Sequence, residues 1–143
     1  MWIKFPRKYG SYSIKYDYIA IVIENGRFML LLEELIIDSD GDMLIGSGIV
    51  AGFDDEKNFA VVLDYTDYET GYNRKTWAVV EKEDALVMAD CLKVRLTLLP
   101  QEIRERFGDS SDIAVPSEVE ALFKDILDFI LSCGVRYQLK KKP

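Results

Sequence analysis

The 143-residue chain contains no histidine. That absence removes the commonest general base, the commonest metal ligand and the usual partner of a serine or cysteine nucleophile. Cysteine is scarce too. Cys91 and Cys133 stand alone, at a spacing that no zinc motif uses. Both fall on apolar helical stripes, so they read as two buried, reduced thiols, and neither a metal nor a cofactor is expected. No stretch approaches the ~20 apolar residues of a membrane span. The segment Met1–Lys8 has no long apolar run and no small-residue cleavage site, so no signal peptide is expected and the expected location is the cytoplasm.

Basic charge is almost missing between Glu33 and Glu69. That block holds 11 acidic residues and one base, Lys57, so its charge is −10 against −7 for the whole chain. Aromatics crowd its C-terminal edge: Phe53, Phe59, Tyr65, Tyr68, Tyr72 and Trp77. A field of this sign argues against nucleic acid as a direct ligand.

The length fits one domain, residues 1–143, large enough to bury a core without a staple. Asn25-Gly26 lies between the apolar runs Ile14–Glu24 and Arg27–Asp38. This is the signature of a type I′ hairpin. Its register sets Asp17 opposite Glu34, a like-charge pair, so a bulge is expected near Glu33-Glu34, after which Leu35 and Ile37 share a face. Strands are then expected over Met43–Phe53, Phe59–Asp64 and Arg74–Glu81, with Tyr65–Asn73 as a polar connection. Gly46, Gly48 and Gly52 point to one face of their strand, where they thin the sheet or admit close neighbours.

After Glu81 the apolar period changes to that of helices. Helices are expected over about 82–94, 98–107 and 118–133. Thr97 is the expected N-cap of the second, with Pro100 in its first turn and Gly108 at its end. Ser117 and Glu120 read as a capping box for the third, which Gly134 terminates. Val135, Tyr137 and Leu139 alternate with polar residues, compatible with a short last strand over 135–139, and Lys140–Lys142 read as a solvated tail. The expected fold is therefore α+β: a curved antiparallel meander of about five to six strands within residues 2–81, with three helices on one face.

Several motifs dissolve on inspection. Asp38-Ser-Asp40-Gly-Asp42 lacks the further ligands of a calcium loop and reads as an acidic turn. Gly46-Ser-Gly48-Ile-Val-Ala-Gly52 resembles a phosphate-binding run, but three carboxylates follow it where a helix N-terminus is required. Ser47 is no nucleophile elbow, because isoleucines flank it at positions 45 and 49. Asp64, Asp67 and Glu69 could serve acid–base chemistry only across a cleft.

What remains is a surface. Asp54, Asp55, Glu56, Asp64, Tyr65, Asp67, Tyr68, Glu69 and Tyr72 form the expected partner-binding set: tyrosines give rigid contact area and carboxylates pair with lysine and arginine. The expected function is a non-catalytic domain that binds a basic protein, in concrete form an immunity-type inhibitor of a cationic, nuclease-like bacterial toxin. The alternative is a small-molecule-binding or enzymatic domain, with its cleft between the Gly46/Gly48/Gly52 strand and the helices. Leu127, Phe129 and Leu131 widen the apolar arc of the last helix and offer a weak homodimer contact.

Overall fold

In a computed structural model of the protein, residues 30–39, 44–108 and 115–142 are described. The Asn25-Gly26 hairpin with its register, most of the Asp38–Asp42 turn, and most of the loop before Pro116 lie outside the described residues. The elements run β1 (Leu31–Asp38), β2 (Ile45–Phe53), β3 (Phe59–Asp67), β4 (Tyr72–Val80), α1 (Lys82–Leu92), α2 (Leu99–Phe107), α3 (Pro116–Ser132) and β5 (Gln138–Lys142). A single 3-10 turn, Leu96–Leu98, leads into α2.

The strands form one sheet in the order β1-β2-β3-β4-β5, and β2 through β5 pair antiparallel. The expected α+β class and meander are present. The short last strand expected over 135–139 is also present, displaced to Gln138–Lys142, and it returns to β4. Lys140–Lys142 are therefore not a tail. They pair with Trp77, Thr76 and Lys75. Strand pairing satisfies the open backbone groups of β4 whatever the side chains carry, and lysines suit an edge.

β3 and β4 are longer than their apolar content suggests. Pairing continues to Asp67↔Tyr72, so the supposed connection 65–73 shrinks to a turn at Tyr68–Gly71. In β1, Leu32 adopts a left-handed φ of 53°, just before the expected bulge at Glu33-Glu34. Such a conformation costs a leucine ~1–2 kcal/mol, so surrounding structure must hold it. Beyond it Ile36 and Ile37 are buried while Leu35 is 55% exposed, so the two residues expected to share a face, Leu35 and Ile37, differ in burial.

Two caps differ from expectation. The residue before α2 is Leu98, with no side-chain cap, because the 3-10 turn carries Thr97 inside it. Helix α3 starts two residues early, at Pro116, with extended Val115 as its N-cap, so Ser117 lies inside the first turn and is not the cap. Proline suits the first helical position, where no N–H is needed, and this sets the start of the helix ahead of Ser117. Gly134 does end α3, in the left-handed region at φ 83°.

The core joins both layers. Ile49, Phe59, Val61 and Val80 from the sheet are fully buried, as are Met88, Leu99, Ile103, Val119, Ile126 and Ile130 from the helices. Helix α3 lies against β2 and β3, and α2 against β2. Gly108 is glycine for lack of room: a Cβ there would sit 2.5 Å from the Arg104 carbonyl oxygen and 3.0 Å from that of Ile36. The close contact lets the end of α2 approach β1.

Candidate functional site

The nine expected site residues fall on two hairpin ends. Asp54, Asp55 and Glu56 make the β2–β3 turn; Asp64 to Tyr72 make the β3–β4 end. Strand β3 separates them. Its length, at ~3.4 Å per residue, puts the two turns about 27 Å apart, with Asp64 and Tyr65 on the strand between them. The acidic block is therefore not one patch.

Within each turn one carboxylate is structural. Asp54 Oδ1 accepts the backbone N–H groups of Glu56 and Asn58, both at 2.9 Å. This closes a turn in which Lys57 takes a left-handed φ of 68°. Asn58 then passes the order on, since its Oδ1 accepts the N–H of Lys82 at 3.1 Å and so caps the first turn of α1 from outside the helix. Asp67 does the same at the other end: its Oδ1 accepts the N–H groups of Glu69 at 3.0 Å and Thr70 at 3.3 Å. Gly71, at φ 79°, completes that turn, and Thr70 Oγ1 accepts the N–H of Tyr72. Asp and Asn accept backbone N–H groups in this way in many tight turns.

Asp64 is also engaged. It accepts from Asn73 Nδ2 at 3.2 Å, the same amide reaches Thr66 Oγ1 at 2.6 Å, and Lys75 stands opposite Asp64 across the ladder. The carboxylates left exposed, with no structural bond from their side chains, are Asp55 and Glu56 at one end and Glu69 at the other.

The strand period divides the tyrosines. Tyr65 faces Arg74 across the ladder, with Tyr72 diagonal to it. The rings of Tyr65 and Tyr72 meet edge to face at 6.3 Å, and the Arg74 guanidinium lies 5.9 Å from the centre of the Tyr65 ring. A cation thus sits inside the cluster expected to be acidic. The polar side chains of residues 65–73 conceal the pairing of Arg74 with Tyr65; extending the alternation of both strands to the turn reveals it.

Tyr68 stands apart, in the turn. Its N–H donates to the Leu44 carbonyl at 2.9 Å, and its ring lies over Gly46, where a Cβ would come within 2.6 Å of the phenol oxygen. The glycine leaves room for the ring, yet Tyr68 remains 63% exposed and Tyr72 52%. Gly48 is covered as well, by Asp38 and the carbonyl of Ile37. Two of the three glycines expected to line a ligand cleft are thus occupied by the protein's own atoms.

Between β1 and α2 lies an open groove of about 610 Å³, lined by Glu34, Gln101, Arg104, Glu105 and Gly108. It is polar, and an Arg104–Glu34 ion pair at 3.0 Å bridges it. Among the described residues no group of three or more carboxylate or thiol side chains could hold a metal ion, and no helix is long and apolar enough to cross a membrane. Of the residues expected at a dimer contact, Leu127 is buried and Phe129 half-buried, edge to face with Phe107 at 5.5 Å and beneath Arg106. Leu131 alone of the three is exposed.

No protein-family model, no curated protein and no solved structure matches this chain.

Proposed function

We propose that the protein is a non-catalytic binding domain for a basic protein, in its most concrete form an immunity-type inhibitor of a cationic, nuclease-like toxin. The observation that carries the reading is the β3–β4 end: Tyr68 is exposed, yet Gly46 and the Asp67 turn fix its position. An aromatic side chain already ordered in its bound place loses little freedom on binding, which is the property of an interface anchor. Glu69 beside it offers a carboxylate with no structural bond of its own. The −7 net charge supplies long-range attraction for a basic partner. Asp55 and Glu56 lie too far along the hairpin to join the same contact unless the partner spans the length of β3, so they contribute mainly to steering.

The test starts from a pull-down in the native cell and continues with association kinetics on the captured partner. The expected partner is basic, its nuclease activity is lost on binding, and its on-rate falls by about tenfold or more from low to high salt. Tyr68→Ala should speed dissociation at either salt. A partner whose binding ignores both salt and Tyr68→Ala overturns the reading.

A further inference from the structure

Two surface features differ from expectation. Cys91 is exposed, although its helical stripe predicted burial. The larger difference is β5, which carries the three lysines expected in a tail. It is the last strand of the sheet, and among the described residues no strand pairs with its outer side. In an antiparallel ladder, successive residues turn their N–H and C=O groups alternately toward the neighbour and away from it. Pairing with β4, from Val79↔Gln138 to Lys75↔Lys142, therefore leaves open donors and acceptors along the outer side of β5. Its side chains are open as well. Gln138, Leu139, Lys140 and Lys141 are all exposed, so the strand is bare on both faces.

Charge sets this edge apart from the rest of the chain. Residues 136–142 hold four cations, Arg136 and Lys140–Lys142, and no carboxylate, in a chain of net charge −7. Nothing in the ladder neutralises them. Lys140 and Lys141 stand opposite Trp77 and Thr76, and Lys142 stands opposite Lys75, a like charge. Like charges directly opposite each other cost stability, and an anionic neighbour relieves that cost.

We propose that β5 is a docking edge for an acidic, extended segment of another protein, which joins the sheet as a further strand. Backbone bonds to the open groups of β5 hold any extended chain, and the lysines select an acidic one. Leu139 and Lys141 share one face of β5, and Gln138 and Lys140 share the other. The segment that fits sets a carboxylate across from Lys140 on one face and from Lys141 on the other, with an apolar side chain across from Leu139. A second copy of β5 does not fit, because two such edges bring cation against cation. A long polyanion such as nucleic acid is repelled by the acidic remainder of the chain, whereas a short acidic segment meets only the edge. This surface does not depend on the basic partner proposed for the β3–β4 end.

The experiment uses the whole chain and three fluorescent synthetic peptides. One is built of glutamate, valine and threonine. The second has lysine in place of glutamate. The third is the acidic peptide with every amide N-methylated, which keeps the charge and removes the backbone donors. By fluorescence anisotropy at low salt, the first peptide should bind at least about tenfold more tightly than either of the others. It should also slow amide hydrogen exchange at alternate residues of 138–142. The double variant Lys140→Glu/Lys141→Glu, at exposed positions, should reverse the preference in favour of the lysine peptide. Equal binding of the N-methylated peptide would mean charge attraction without strand addition and would overturn the proposal. So would failure of the acidic peptide to bind, or equal protection of the same amides by an oligonucleotide. Concentration-dependent protection of those amides in the protein alone would make a second copy the occupant and overturn it too. The three peptides on the unchanged chain decide the matter even if the double variant does not fold.

Discussion

Asp54 and Asp67 are one device used twice. Each closes a turn with its own carboxylate, so each stabilises the fold before it can meet a partner. Replacing either by alanine removes two turn-closing hydrogen bonds and should cost about 1–2 kcal/mol in urea unfolding. Asp55→Ala and Glu69→Ala, which remove exposed carboxylates, should stay within about 0.5 kcal/mol. Two glycines separate in the same way. In Gly108→Ala the new methyl meets backbone oxygens that cannot yield, at an expected cost of about 1–3 kcal/mol. In Gly46→Ala it meets the movable end of Tyr68, so stability should change by less than about 1 kcal/mol while the ring is displaced. A weakened partner contact in a stable Gly46→Ala protein is the expected pairing of results. Cys133 carries a pH signature. Its thiol is raised by burial and by Cys91, so the folded protein holds that proton more tightly than the unfolded chain does. The associated stability is fully present below the ordinary thiol pKa, 9.0 here, and is lost as pH climbs through the higher folded value. Cys133→Ala should remove this alkaline slope from a series of denaturation midpoints.

Helix α3 states most clearly what was readable element by element. Its apolar stripe, Val119, Phe123, Ile126 and Ile130, is the buried stripe, and Gly134 is its stop. Periodicity reports burial directly, so helices and central strands were legible. Caps were not, because Pro116 starts the helix upstream and places Ser117 inside its first turn. Ser117→Ala should therefore cost less than about 0.5 kcal/mol, where a working cap would cost ~1 kcal/mol. Ile126→Ala, inside the stripe, should cost about 2–5 kcal/mol. Thermal or urea midpoints separate the two. Strand ends were illegible for another reason: Tyr65, Thr66, Asp67, Tyr72 and Asn73 pair through their backbones while their side chains look like those of a loop. The same blindness shifted β5: the alternation marked a last strand over 135–139, while Lys140–Lys142 gave no sign of the ladder they join. It also made the acidic set look like one patch, since sequence proximity across β3 is not proximity in space.

At the scale of the whole molecule, charge acts at a distance and contact acts locally. Reversing Asp55, Glu56 and Glu69 to lysine changes the net charge by six units, from −7 to −1, without touching the carboxylates that build the turns. The on-rate for a basic partner should drop by more than about tenfold at low salt, and the loss should shrink once screening acts beyond ~8 Å at physiological ionic strength. Stopped-flow or surface-plasmon kinetics at two salt concentrations measure both. An on-rate indifferent to all three reversals would leave the acidic residues as a solvated surface.

The place of β5 has a consequence for how the chain reaches this state. β2, β3 and β4 are joined by short turns, so their ladders close early and cheaply in chain entropy. The β4–β5 ladder joins Lys75 to Lys142, across all three helices, and such distant pairings form late. During synthesis, β4 therefore presents Thr76–Val79 as an open edge until residues 138–142 have emerged, beside the apolar run Phe59–Leu63. An open edge next to a strongly β-forming segment recruits other chains. The last strand is thus the protein's own guard against self-association, arriving after the hazard it covers, and its lysines keep the new edge from repeating the problem. Truncation before Gln138 should leave the helices intact in far-ultraviolet circular dichroism yet turn a clear solution turbid.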